Sequence, residues 1–463
     1  MAVWKKSAAD KGPEDELIPQ LTRAALSNVP KERIAASEML PDTAYEIVAD
    51  EIMLDGNARF NLATFVSTYM LEHADKLYAK TYDKNMIDKD EYPQTAEIEN
   101  RCVQMLANLW HAPDAEESIG TSTTGSSEAA MLGGMALKRR WQASRRAAGK
   151  STDKPNIVMG GNVQVCWEKF ANYWEVEPRL VPLDEDHLFL TPERMMPFVD
   201  ENTIGVVAIM GSTMDGSYEP VAEICAALDE FEAKTGIHVP VHVDGASGGF
   251  IAPFVQPELL WDFRLERVAS INSSGHKYGL VYPGVGWVVW RSKDLLPEEL
   301  IFNVNYLGGE MPTFALNFSR PGAQIVLQYY VFLRLGMDGF RRVQGTSIDV
   351  AMALAKKIEA MPEFDLISDG SDIPVFAFAL APSVTKYTVY DVSRSLRERG
   401  WLVPAYTMPP NREDLAVLRL VIRHGFSHDM GDLFLKDLKA AVTWLDNLSG
   451  PMPVEEKPAG FHH

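Results

Sequence analysis

Between residues 155 and 291 short apolar runs alternate with stretches of helical period. NIVMG, TIGVVAIMG, HVPVHV, RVASI and VGWVVW are rich in β-branched residues and bounded by small or polar ones, which predicts buried strands. VAEICAALDEFEAKTG, between two of them, repeats its apolar residues at helical spacing. Such alternation predicts an α/β fold, a mostly parallel sheet with helices on both faces. From about residue 346 the rhythm changes. SIDVAMALAKKIEAM reads as a helix, FDLIS and PVFAFAL as strands, YDVSRSLRERG as a helix, WLVPAYT and LAVLRLVIR as strands, and DLFLKDLKAAVTWLDNL as a last helix. This predicts a small α/β domain with a mostly antiparallel sheet. IVLQYYVFLRLG before it reads as a helix that joins the two domains. The resulting division is a helical arm over 1–57, expected to make oligomer contacts, a large domain over 58–345, a small C-terminal domain over 346–450 and a Pro-rich, flexible tail over 451–463.

Composition narrows the partners. The 463 residues carry 64 acidic against 44 basic side chains, and a net charge of −20 argues against nucleic acid and anionic membrane surfaces. No run approaches the roughly 18 apolar residues of a membrane span, and the opening MAVWKKSAADKGPEDE lacks the apolar stretch of a secretory signal. Cys102, Cys166 and Cys225 lie far apart and fit buried thiols in a reducing compartment, so a cytoplasmic protein is expected. No metal site is expected: His238 and His242 are four apart but sit on a strand, not on an HExxH helix.

The candidate chemistry clusters beyond the strand ends, where open α/β sheets bind ligands. VASINSSGHKYG delivers His276 and Lys277 on a loop past a buried strand. There desolvation would depress the lysine pKa and free its amine as a nucleophile. HVPVHVDGASGG ends in Asp244, 33 positions earlier, room for one crossover between neighbouring strands. An amine and a carboxylate so placed suit pyridoxal phosphate, the lysine as its Schiff-base partner and the aspartate on its pyridine nitrogen. GTSTTGSSEAAMLGG reads as a Gly/Ser/Thr loop entering a long helix. Its Ser126 and Ser127 either cap that helix or offer a phosphate site. Gln164, Ser212, Thr213 and Ser274 also fall past strand ends. Neither GxxxxGK[ST] nor a GxGxxG between strand and helix is present.

In this order the segments RFNLATF, KNMIDKDEYP, TTGSSEAAMLGG, VQVCWEKFANYWEVE, HVDGASGGFIAPF and SINSSGHKYGL resemble the motifs of pyridoxal-phosphate-dependent glutamate decarboxylases, within the group II decarboxylases. The resemblance covers roughly residues 30–450. It implies the aspartate-aminotransferase-like fold (PLP fold type I). It also implies conversion of L-glutamate to 4-aminobutyrate and carbon dioxide through an external aldimine and a quinonoid, with one proton consumed. Another PLP enzyme of the same fold, an aminotransferase or a decarboxylase of a different amino acid, is the alternative. By the resemblance Lys277 carries the cofactor, Asp244 partners its ring nitrogen, Gln164 and Ala246 cover the ring faces and Thr213 lies near the phenolic oxygen. Ser126, Ser127, Ser274 and His276 bind its phosphate, with Ser319 adding a contact from a partner subunit. Thr64, Phe65, Asn85 and Asp88 form the pocket for the distal carboxylate, and Arg423 stands near the α-carboxylate. A homodimer or homohexamer is implied. The tail lacks the basic, Trp-containing segment of plant members, so calmodulin control is not expected. His462 and His463 resemble the tail histidine of acid-activated bacterial members, which suggests closure of the site near neutral pH.

Overall fold

The computed structural model describes residues 32–35, 38–116, 118–304 and 311–448. By their contacts residues 1–57 and 58–463 form two units. In the first, α1 (Pro41–Ile52) starts on Pro41 with Asp42 in its first turn, which suits the positive helix end. Its apolar stripe of Tyr45, Val48 and Ile52 is exposed.

The second unit is built on a seven-stranded sheet: β1 (Ile119–Thr123), β2 (Asn156–Gly160), β3 (Glu177–Val181), β4 (Thr203–Ile209), β5 (Val241–Asp244), β6 (Val268–Ser273) and β7 (Gly286–Trp290). Their order is β1-β7-β6-β5-β4-β2-β3, and β7 alone runs against its two neighbours. Helices α2 (Glu72–Thr81), α3 (Pro93–Leu109), α4 (Ser126–Ala147), α5 (Val165–Tyr173) and α6 (Val221–Thr235) accompany it. Both faces of the sheet are covered, so alternate residues of β7 enter different cores: Trp287 and Val289 pack with Leu106 of α3, Val288 and Trp290 with Ala129 and Leu132 of α4.

Two strands carry no apolar run. β1 is IGTST, and it pairs because Gly120 lets the β7 backbone approach: a Cβ there would lie 2.6 Å from the Val288 carbonyl oxygen. The hydroxyls of Thr121 and Ser122 reach buried Glu99, whose Oε1 accepts from Ser122 Oγ at 2.5 Å and Thr121 Oγ1 at 3.3 Å. β3 is the sheet edge, where Glu177 and Arg179 can reach solvent. The expectation of a plain loop before α4 is therefore corrected for 119–123.

Beyond a short pair, β8 (Phe302–Val304) and β9 (Met311–Thr313), helix α7 (Ala323–Glu359) runs past both cores. Ile325, Leu327 and Phe340 pack in the first core and Val350, Leu354 and Ile358 in the second. Its one non-helical residue is Gly336, whose left-handed φ of 55° suits glycine. The two helices read from the sequence meet in this single element.

The second sheet contains β10 (Phe364–Leu366), β11 (Val375–Leu380), β12 (Ala405–Thr407) and β13 (Ala416–Val421), all antiparallel, in the order β10-β11-β13-β12. Helices α8 (Val389–Arg397) and α9 (His428–Asp446) share its core. Phe376, Phe378, Leu418 and Leu420 pack in that core, so the period of two turns residue 419 to the opposite face. No described helix is long and apolar enough to cross a membrane.

Candidate active site

Past the carboxyl ends of β4, β5 and β6 lies a cavity of about 550 Å³. Asp244 is the last residue of β5 and pairs in register with Asn272 of β6; three and four residues after β6 ends come His276 and Lys277. The sheet register thus brings amine and carboxylate into one cavity. Asp244, 5% exposed, is held by three donors. Trp167 Nε1 donates to Oδ2 at 2.8 Å, and Asn272 Nδ2 and the Ala246 amide donate to Oδ1 at 3.0 and 3.1 Å.

The Lys277 amine has one long hydrogen-bond contact among the described residues, 3.5 Å to Ser247 Oγ, and lies 5.0 Å from the centre of the Phe65 ring. Burial pushes its pKa below the ordinary lysine value; the Asp244 charge opposes this and the Arg419 charge adds to it. His276 is pushed down to about 4, mainly by burial and then by the Lys277 charge. Its Nδ1 accepts from the Val285 and Gly284 amides at 3.3 and 3.4 Å, so the proton of the neutral ring resides on Nε2.

Of the residues named from the sequence, Thr64, Phe65, Ser126, Ser127, Gln164, Thr213, Asp244, Ala246, His276 and Lys277 line this cavity. Ser274 stands behind them and donates to Ser126 Oγ at 2.7 Å. Asn85, Asp88 and Ser319 do not line it. Asn85 Nδ2 donates to Ser319 Oγ at 3.4 Å and its Oδ1 accepts from the Arg320 amide at 3.1 Å, so these two loops form a separate cluster. Arg423 does not line it either. Its guanidinium donates to the carbonyls of Val66, Ala58 and Asn61 and to Thr68 Oγ1, and so ties down the 58–68 segment outside the cavity.

The guanidinium that lines the cavity is Arg419. It donates to the carbonyls of Thr213 at 2.5 Å and Ala63 at 2.7 Å, and its carbon lies 4.8 Å from the Phe65 ring centre. Its Nε is buried with no partner among the described residues. Strand alternation could have found it, since 419 falls on the outward face of LAVLRLVIR four residues before 423. Glu128, Asn162 and Cys166 also line the cavity without having been singled out there. Glu128 is a positioning group: its Oε2 accepts from the Thr124 amide at 2.8 Å and Asn317 Nδ2 at 3.0 Å.

The residues present fit pyridoxal phosphate. The N-terminus of α4 carries no side-chain cap at Gly125, and the hydroxyls of Ser126 and Ser127 stand at this positive end, which suits a phosphate. A weakly bonded buried amine and a braced carboxylate complete the donor set. A lysine and an aspartate past adjacent ends of a mostly parallel sheet, with a small second domain, define a pyridoxal-phosphate protein of fold type I. Comparison with known proteins agrees. The pyridoxal-dependent decarboxylase conserved domain matches residues 34–381, and the chain belongs to that family. It is 54% identical to a glutamate decarboxylase of Aliivibrio fischeri, across 97% of this chain and 98% of that protein. It is 51% identical to one of Solanum lycopersicum, across 94% and 89%. The solved glutamate decarboxylase of Lactobacillus brevis superposes with a TM-score of 0.89 at 48% identity, covering 92% of this chain and 98% of that one.

Proposed function

We infer that this chain is a pyridoxal-phosphate-dependent glutamate decarboxylase, a carboxy-lyase that converts L-glutamate to 4-aminobutyrate and carbon dioxide. The observation that carries the assignment of roles is the single cavity that gathers Lys277, Asp244 and Arg419. The relatives leave an aminotransferase or another amino-acid decarboxylase disfavoured.

Bound pyridoxal phosphate supplies an electron sink for the pair released when a bond to the substrate's α-carbon breaks. Lys277 is the residue that carries it. Asp244 would hold the ring nitrogen, Gln164 and Ala246 the ring faces, and Ser126, Ser127, Ser274 and His276 the phosphate, with Thr213 near the phenolic oxygen. Arg419, which lines the cavity, binds a substrate carboxylate through its guanidinium, a charge-assisted contact in a desolvated site. Fixing a carboxylate fixes the orientation of the α-carbon bonds, which decides which of them breaks. Thr64 and Phe65 form the opposing lip, and the Phe65 ring keeps water from the two cations beside it. Once carbon dioxide leaves, a proton must reach the α-carbon. The Lys277 ammonium is the stronger acid there, because neutral His276 has only a weakly acidic Nε2–H. One proton is consumed per turnover.

The Asn85, Asp88 and Ser319 cluster belongs in this proposal to the cavity of a second copy, where Asn85 and Asp88 meet the distal carboxylate and Ser319 the cofactor phosphate. A homodimer is then the smallest working unit and a homohexamer the larger assembly, with residues 1–57 as a contacting arm, 58–345 and 346–450 as the two domains and 451–463 as a tail. Three buried free cysteines suit the cytoplasm. Calmodulin is not expected as a partner. The tail histidines His462 and His463 lie outside the described residues.

Supplying purified holoenzyme with L-glutamate, L-aspartate and L-tryptophan separately tests the assignment. 4-Aminobutyrate and carbon dioxide should appear in equal amounts from glutamate alone. Turnover of tryptophan or aspartate with none of glutamate would overturn it.

A further inference from the structure

Behind Asp244 lies a buried hydrogen-bond chain that touches neither cavity nor solvent. His242, fully buried on β5, places Nε2 2.7 Å from Asn272 Oδ1 and Nδ1 2.7 Å from Ser270 Oγ. Asn272, also fully buried on β6, then donates from Nδ2 to Asp244 Oδ1 at 3.0 Å. Each link constrains the next. Asp244 Oδ1 needs a donor, so the Asn272 amide must turn its NH2 towards it and its oxygen towards His242. That oxygen needs a donor as well, so the imidazole carries its proton on Nε2 and accepts at Nδ1 from the Ser270 hydroxyl.

Packing holds the ring in this place. Gly133 of α4 leaves room for it, since a Cβ there would lie 2.4 Å from His242 Cε1, and Trp167 packs edge-on against it at 5.0 Å. Trp167 is the residue that bonds the other oxygen of Asp244. One rigid frame thus fixes both carboxylate oxygens. Among the described residues the charged group that acts on His242 is Asp244, and burial lowers the imidazole pKa, which keeps the ring neutral.

We propose that His242 and Asn272 are positioning residues for the decarboxylation: the imidazole Nε2–H sets the Asn272 amide, and the amide holds Asp244 as an oriented acceptor for the cofactor's ring nitrogen. This rests on the assignment of Asp244 to that nitrogen. Two polar side chains buried on neighbouring strands would be costly if their task were packing alone, where apolar residues serve. The chain satisfies every polar atom of the pair that it uses and delivers a donor to the one carboxylate in the cavity that matters for the ring.

The test uses holoenzyme reconstituted with pyridoxal phosphate labelled with ¹⁵N in its ring. Asn272→Leu should lower kcat for glutamate at least tenfold with KM changed less than about threefold, a split that general loosening would not produce. In the same variant the ring ¹⁵N resonance should move towards its unprotonated position at a pH where the parent stays protonated. His242→Gln, which keeps a donor for Asn272 Oδ1, should retain more activity than His242→Leu. A folded Asn272→Leu enzyme with parental kcat and ring resonance overturns the inference. Should these variants not fold, ¹⁵N-histidine solid-state spectra of the parent holoenzyme decide: a neutral His242 protonated on Nε2 supports the chain, and an Nδ1–H ring or an imidazolium overturns it. Asp244→Asn serves as the control. If it leaves kcat and the resonance unchanged, the assignment of Asp244 itself fails; if it alone disables the enzyme, only the role of His242 and Asn272 fails.

Discussion

The parallel sheet presents Asp244, His276 and Lys277 from the ends of β5 and β6, whereas the antiparallel sheet presents Arg419 from within β13. At parallel strand ends the chain has finished its ladder and turns, so side chains and amides point into one crevice, and register alone brings residues distant in sequence together. Within β13 the ladder continues, and only the alternation of faces selects what reaches the cavity. Arg419 and Arg423 make the contrast concrete. Both are cations on the same side of one segment, four residues apart. The first lines the cavity, and the second lies outside it, bonded to the carbonyls of Ala58, Asn61 and Val66. Position past the end of β13 turns a candidate ligand group into a strap for the chain.

The largest effect should come from the strand-end side. Lys277→Ala should lower kcat by about four orders of magnitude or more, since no other described amine lines the cavity. Steady-state rates with saturating cofactor measure it, and a loss under tenfold would shift the chemistry elsewhere. Asp244→Asn should follow with a loss of about a thousandfold, because the ring then lacks a charged acceptor.

On the antiparallel side the two arginines should separate. Arg419→Met should lower kcat/KM for glutamate about a hundredfold, the worth of a desolvated charge-assisted contact of roughly 2–3 kcal/mol. Arg423→Met should instead lower the unfolding free energy by about 2 kcal/mol as carbonyls lose their donor, with KM nearly parental. Denaturant titration beside steady-state kinetics makes the comparison. Equal KM effects would erase the distinction between the two positions.

The smallest effect concerns His276. Its folded pKa of about 4 lies below the ordinary 6.5, so between these values the unfolded chain binds a proton that the folded one does not. Stability should therefore decline as pH falls from about 6.5 towards about 4 and gain nothing further from this residue above 6.5. His276→Gln should flatten that part of the stability–pH curve. Part of the slope is masked by Glu219. Burial raises its carboxyl to about 7, although Ile209, Leu190 and Asn162 donate to it, so it gives stability of the opposite sign as pH falls.

The sheet core and the Lys277–Asp244 pair were legible because apolar runs and strand-end positions are local features. The strand IGTST was not, since its stability comes from the β7 backbone and from Glu99 rather than from its own side chains. Alternation along LAVLRLVIR gives Arg419 and Arg423 the same face, and Arg419 escaped because alternation alone does not say which of the two reaches the cavity. His242, read as half of a rejected metal pair, has its role set by Asn272, 30 positions on, and no spacing rule links them. Trp167 stands likewise 77 positions from the carboxylate it bonds.

Borohydride reduction of the holoenzyme followed by peptide mapping probes the Lys277 assignment most directly. The expected result is the pyridoxyl group on the peptide that contains Lys277 and on no other, with activity lost in proportion to labelling. A pyridoxyl group on a different lysine, with Lys277 unmodified, would contradict it.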